Sequence, residues 1–221
     1  MAYYMVHAGM ARKNYVDRYL IPSMVEQGIP KNHIIRILDI NKEGCLTMYK
    51  KAYRDLPKYI PKGTEGVWHI QDDVVISRKF KELTEKYDEG VVCGFCSGWH
   101  YDIGPMGSVP SQDMWFSSPC IRIPIKYSTE FLDWLEASEE PEVILHVEMN
   151  KGEDFLFKRF LSQVYPDLKV LNLSPNPVDH IDYLIGGSTV NQQRGPTIVK
   201  STFWVDECVT EGLKMRLGII N

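Results

Sequence analysis

The chain contains no apolar run of the roughly 18 residues that a membrane-spanning helix requires, and its first stretch, MAYYMVHAGMARKNY, lacks the basic start and long apolar middle of a secretory signal. A soluble, cytoplasmic protein is the expectation. There is no surplus of positive charge either. With 25 Lys and Arg against 29 Asp and Glu, the formal net charge is −4, so no global field draws the molecule onto nucleic acid or an anionic membrane. Cysteine is too sparse for a disulfide framework: Cys45, Cys93, Cys96, Cys120 and Cys208 are an odd, scattered set and read as reduced thiols. The CGFC pair has dithiol spacing but runs from a β-type segment into a Gly/Pro loop, without the helix start that activates such a thiol. No second pair completes a zinc site. Neither GxGxxG nor GxxxxGK[ST] occurs, so dinucleotide and P-loop chemistry are not signalled.

What is present is an apolar fraction of 44%, enough for a globular core, with no internal repeat and no boundary that divides residues 1–221 into two domains. Apolar β-rich segments alternate with helical patterns through the first half. YYMVHA precedes a helix running to about Gln27. IIRILDI precedes a helix in CLTMYKKAYRDL. GVWHIQDDVVIS precedes a polar, exposed helix in RKFKELTEKY, and GVVCGFCS follows. Such alternation predicts an α/β fold with parallel strands joined by right-handed crossovers, which binds ligands at the carboxyl ends of its strands. His7 to Arg12, Asp39, Asp72 and Asp73 then fall along one edge. In the second half, CIRIPI and LKVLNLSP read as strands. STEFLDWLEAS, which Ser128 or Thr129 can cap, GEDFLFKRFLSQVY and DECVTEGLKMRL read as helices. The Gly/Pro/Ser-rich stretch 101–118, with Trp115, reads as a functional loop.

Asp72 and Asp73 are the anomaly. Two adjacent carboxylates in a buried strand repel each other and call for a cation, and a divalent metal satisfies that call. Neighbours on a regular strand face opposite ways, so both serve one site only where the strand ends and bends. The plainer alternative is a turn-capping Asp72 beside a solvated Asp73.

VWHIQDDVVIS resembles the metal-binding element of GT-A fold glycosyltransferases, in which an apolar strand ends in a DxD-type motif, here the variant Gln71-Asp72-Asp73. GEDFLF and VDHIDYLIGGS follow in the order that family leads one to expect, and the likeness to short phage and bacterial members runs from about residue 3 to about residue 194. The resemblance implies a GT-A-like, Rossmann-type mixed sheet flanked by helices in a single domain, with a nucleotide-binding half (1–100) and an acceptor-side half with a C-terminal tail (101–221). It implies Asp73 and His180 as ligands of a manganese or magnesium ion, with Asp179 and Asp182 orienting the imidazole. Asp72 would reach the ribose or donor sugar. His7, Ala8 and Gly9 would lie beside the base, Arg12 near the ring or phosphate, and Asp39 against base or ribose. Glu153 or Asp154 would take the acceptor proton if the reaction inverts; retention stays open.

The activity implied is glycosyl transfer from a nucleoside diphosphate sugar, UDP-sugar first, to a hydroxyl. Hydroxymethylated pyrimidine in phage DNA is one acceptor, and Lys50, Lys51, Arg54, Lys58 and Lys62 form a basic stretch that could track phosphates. A surface glycan or protein is another. The rival readings are a metal-dependent phosphodiesterase or nucleotidyltransferase, and a sugar-nucleotide binding module without turnover.

Overall fold

Tyr4 to Ala8 are buried on both faces of β1 (Tyr4–Gly9), and Gly66 to Ile70 likewise on β3 (Gly66–Gln71), as central strands between two helical layers must be. The computed structural model describes residues 2–95, 107–110, 119–150, 152–186, 204 and 206–219, with the backbone path alone for 107–110. Its sheet has seven strands in the order β2-β1-β3-β7-β5-β8-β6, adding β2 (Ile34–Asp39), β5 (Val91–Cys93), β6 (Gly107–Pro110), β7 (Cys120–Pro124) and β8 (Lys169–Asn172). The sheet is mixed: β2, β1, β3, β5 and β8 run one way, β7 and β6 the other. This is the α/β class expected from the sequence.

Helices cover both faces. On one side lie α1 (Lys13–Tyr15), a π turn (Val16–Leu20) and α2 (Ile21–Glu26) in one continuous path, with α4 (Phe80–Lys86). Tyr4, Val6, Ala8, Trp68 and Ile70 pack there against Tyr15, Val16, Leu20, Met24 and Phe80. On the other side lie α3 (Cys45–Tyr59), α5 (Ile125–Ala137), α6 (Pro141–Glu148) and α7 (Glu153–Val164). Leu46, Tyr49 and Tyr53, at helical spacing on α3, meet Ile121, Phe131, Phe157 and Phe160. α8 (Glu207–Arg216) adds Leu213 to the first layer.

Three local expectations need correction. GVWHIQDDVVIS is two strands: β3 stops at Gln71, Asp72 and Asp73 form a turn, and β4 (Val74–Ile76) leaves the main sheet to pair with β9 (Val178–His180). α4 is half-sunk, with Phe80, Leu83 and Thr84 buried. α5 starts at Ile125, three to four residues ahead of the proposed caps; Ser128 is buried and the Thr129 hydroxyl donates back to the Ile125 carbonyl.

One lock fixes the loops at the sheet's carboxyl edge. Asp39, ending β2, accepts from the Glu43 and Gly44 N–H groups at 2.8 and 3.0 Å. Asn150, between α6 and α7, accepts from the Thr47 N–H at 3.0 Å and donates to the Glu43 carbonyl, so the starts of α3 and α7 are tied together. Gly44 holds φ +91° in this lock, and an added Cβ would overlap the Asn150 carboxamide. Gly44→Ala should therefore lower stability by about 1–3 kcal/mol from backbone strain and by more through loss of the Asn150 contacts. Gly63→Ala, at φ +93° with open space around it, isolates the strain. Denaturant titration should show the Gly44 variant as the less stable of the two.

Candidate functional site

β1, β2 and β3 end side by side. Gly9 is paired with Asp39 and His7 with Gln71, so the last residues of these parallel strands share one edge. Strand alternation then sorts them by face. Asp72 continues the Trp68–Ile70 face toward α1, whereas His7 and His69 face α3 and α7.

On the α1 face the turn between β3 and β4 brings both acids onto one cation. The Arg12 Nη1 donates to Asp72 Oδ1 at 3.0 Å and to Asp73 Oδ2 at 2.5 Å. Asp72 Oδ2 also accepts from the Gly9 N–H at 2.7 Å. Arg12 is only 3% exposed, so this pairing is an interior one. The β4–β9 ladder sets Val74 opposite His180, and the Ile181 N–H donates to the Asp73 carbonyl at 2.7 Å. His180 Nε2 thereby lies 3.3 Å from Asp73 Oδ2, and its Nδ1 lies 3.4 Å from Asp182 Oδ1. Asp179 points elsewhere on β9 and is buried.

The charges sort accordingly. Burial raises the Asp73 pKa, and the His180 and Arg12 cations outweigh it, holding the carboxyl well below the usual range. Burial and the charge of Asp73 push Asp72 up, against the lowering by Arg12 and the Gly9 N–H, so a proton taken by the pair resides on Asp72. Burial opposes the His180 imidazolium, and Asp73 more than compensates, raising its pKa.

The other face is neutral. His7 Nε2 and His69 Nδ1 are 3.0 Å apart, and Tyr49 stacks on His7 with ring centroids at 4.0 Å. Glu153 is 2% exposed, with Cys45 Sγ–H donating to its Oε2 at 3.3 Å. It lies between α3 and α7, away from solvent. Asp154, the next residue, is half-buried; it accepts from the Phe155 N–H at 2.8 Å, and burial raises its pKa. Asp39 is committed to the Glu43–Gly44 turn described above. Trp115 and the stretch 101–118, like Cys96, lie outside the described residues except for the backbone of 107–110. In the basic stretch, Lys51, Arg54 and Lys58 sit in exposed ion pairs with Glu43, Glu136 and Asp55, contacts that contribute little. A cavity of about 420 Å³ lies away from this edge, between the π turn, β4 and α8. Among the described residues no helix is long and apolar enough to cross a membrane, and the four described cysteines are free.

As arranged, these residues do not fit a divalent ion. Asp73 Oδ1 is buried with no hydrogen-bond partner among the described residues, as a ligand oxygen would be. Yet Arg12 already holds both carboxylates, and no group of three or more His, Cys, Asp or Glu among the described residues is set to hold a metal. Nothing local in the sequence signals this pairing, and the resemblance implies Arg12 only near the ring or phosphate.

The buried imidazoles make a pH signature. Burial holds His7 well below the usual histidine pKa and takes His69 down to about 3. Both are neutral in the fold and protonate near pH 6.5 once unfolded, so each contributes stability above pH 6.5 that is lost as the pH falls toward its folded value. The slope is about 1.4 kcal/mol per pH unit for each histidine. Asp72, whose pKa is raised, acts with the opposite sign, so the comparison of variants is the informative one. His69→Gln should flatten the stability profile between pH 6 and pH 4 by about 1.4 kcal/mol per unit, measured by denaturant unfolding. An unchanged slope would mean that His69 is protonated in the fold.

No protein-family model and no curated protein matches the sequence. Among solved structures, the chain is similar to the galactosyltransferase LgtC in complex with donor and acceptor sugar analogs, at 12% identity and a TM-score of 0.43, covering 99% of this chain and 96% of that one. It is similar to a putative glucose-1-phosphate thymidylyltransferase from Bacillus anthracis in complex with a sucrose, at 10% identity and TM-score 0.40, covering 87% and 93%. It is also similar to HddC from Yersinia pseudotuberculosis, at 11% identity and TM-score 0.36, covering 78% and 91%.

Proposed function

We propose that the chain transfers a glycosyl group from a nucleoside diphosphate sugar, UDP-sugar first, to a hydroxyl acceptor. The observation that carries this reading is the convergence at one strand edge of His7, Ala8 and Gly9, Arg12, the Asp72–Asp73 turn and His180, which are 173 positions apart from first to last. Such an edge is where α/β sheets bind nucleotides. The half-buried end of β1 at Gly9, which has no side chain, would let a base or ribose come close to the backbone. His180, partly exposed and favoured as an imidazolium by Asp73, would meet the negative charge that a departing diphosphate gathers, while the buried Arg12 holds the two acids in place; stabilising that charge is the main requirement of the step.

Proton removal from the acceptor falls to Asp154. Glu153, one residue earlier, is sealed against Cys45 and cannot meet a substrate without rearrangement of α3 and α7. Burial raises the Asp154 pKa, which makes it a stronger base than a solvated aspartate. Hydroxymethylated pyrimidine in DNA is the first acceptor to examine, with glycan and protein hydroxyls after it.

Donor hydrolysis with a panel of UDP- and GDP-sugars tests the reading. Asp154→Asn should lower kcat by about 10²–10⁴-fold, the usual contribution of a general base, with donor affinity unchanged. Release of nucleoside monophosphate in place of diphosphate would mark a phosphodiesterase. Binding without release would mark a non-catalytic module, and failure of every donor to bind would end the assignment. The base mass of hydroxymethylated duplex after incubation decides the DNA acceptor.

A further inference from the structure

We propose that Arg12 is the resident cation of the Asp72–Asp73 pair: its guanidinium takes the position between the two carboxylates, and the free chain excludes divalent ions from that position. One nitrogen, Nη1, makes both contacts, at 3.0 and 2.5 Å. The oxygen it shares on Asp73 is also the one that faces His180 Nε2 at 3.3 Å. An ion that joins Asp73 to His180 through this oxygen must therefore compete with Nη1 for it. A magnesium ion sits about 2.0–2.1 Å from its carboxylate ligands, so an ion there would stand within contact range of a guanidinium of like sign. The two cannot share the pair.

The placement is built into the chain. Arg12 closes a 3-10 turn, Met10–Arg12, that starts directly after Gly9. The Gly9 N–H is itself bound to Asp72, so the exit of β1 is anchored to the acid that Arg12 neutralises. The π turn Val16–Leu20 follows within one helical turn, and the Tyr15 hydroxyl donates to the Val74 carbonyl at 2.7 Å, fixing the segment against the first residue of β4. Arg12 is a positioning residue in this scheme: it aligns both carboxylates and decides which cation they hold. Removing its charge leaves two buried carboxylates that a divalent ion can then satisfy.

The inference deepens the transferase reading without needing a substrate to test it, because metal uptake is measured on the free chain. Its failure would leave glycosyl transfer standing, and loss of the transferase reading would leave the uptake result unchanged. Manganese binding is followed by the electron paramagnetic resonance of the free ion and by thermal unfolding with and without manganese. The parent chain should take up no manganese at this site and show no shift of Tm. Arg12→Gln should bind one ion at least about tenfold more tightly than the parent, since it leaves an uncompensated buried charge, and manganese should raise its Tm. Arg12→Lys, which keeps the charge, should restore exclusion; a purely structural arginine would not give this split. Asp73→Asn added to Arg12→Gln should abolish uptake. If Arg12→Gln alone does not fold, the Arg12→Gln/Asp72→Asn variant, which removes one charge of each sign, carries the test and should still bind manganese through Asp73 and His180. Tight stoichiometric uptake by the parent chain, or no uptake by either Arg12→Gln variant, would overturn the proposal.

Discussion

Two adjacent carboxylates inside a protein constrain everything around them, and the Arg12 guanidinium between Asp72 and Asp73 is how this chain meets the constraint. Leaving either acid ionised and unpaired in the interior would cost about 3–5 kcal/mol, a large share of an ordinary domain's stability. The neighbouring structure is arranged around that pairing. β1 must end where its Gly9 N–H reaches Asp72, the chain must turn within three residues to deliver Arg12, and β3 must bend at Asp72. The bend gives the acids a common target. A straight strand would direct them to opposite faces, so the two-residue turn converts strand alternation into convergence.

The same alternation divides the edge into a charged half and a neutral half. Asp72 follows the parity of Trp68 and Ile70 onto the α1 face, where Arg12 and His180 supply positive charge. His7 and His69 follow the opposite parity into the aromatic layer of Tyr49 and Tyr53, where burial keeps imidazoles uncharged. Glu153 belongs to this second layer, under α3, and Asp154 stands at its margin. A one-residue difference on the first turn of α7 therefore separates a carboxylate locked in the core from one that is half-buried.

Much of this was legible in the sequence where the signal is local. The two faces of β1 and β3, the α3 stripe of Leu46, Tyr49 and Tyr53, and the acidic start of α7 all follow from periodicity and capping preferences. The polar look of RKFKELTEKY hid a buried side, although Phe80, Leu83 and Thr84 stand at helical spacing. α6 is short and marked in the sequence mainly by Pro141 at its first position, a start signal. β9 is three residues long and, among the described residues, pairs with β4 alone, so it carries no period to read. Arg12 and Asp72 are 60 positions apart, and no pattern along a chain announces an ion pair at that separation. The acids declared a need for a cation; which cation answered it depended on the fold.

The small β4–β9 ribbon is what joins the two halves of the chain chemically. Three register pairs and two further bonds, from the Ile181 N–H to the Asp73 carbonyl and from the Ser77 N–H to the Pro177 carbonyl, hold His180 beside an acid more than a hundred residues earlier. Because the ribbon is separate from the seven-stranded sheet, the position of His180 is set by the Asp72–Asp73 turn that launches β4, and by little of the main ladder. Arg12 fixes that turn from one side and Asp182, through His180 Nδ1, bears on it from the other. A change in which cation holds the acids would thus reach His180 through Asp73 itself, which is its ionic partner and whose carbonyl accepts from the next residue, Ile181.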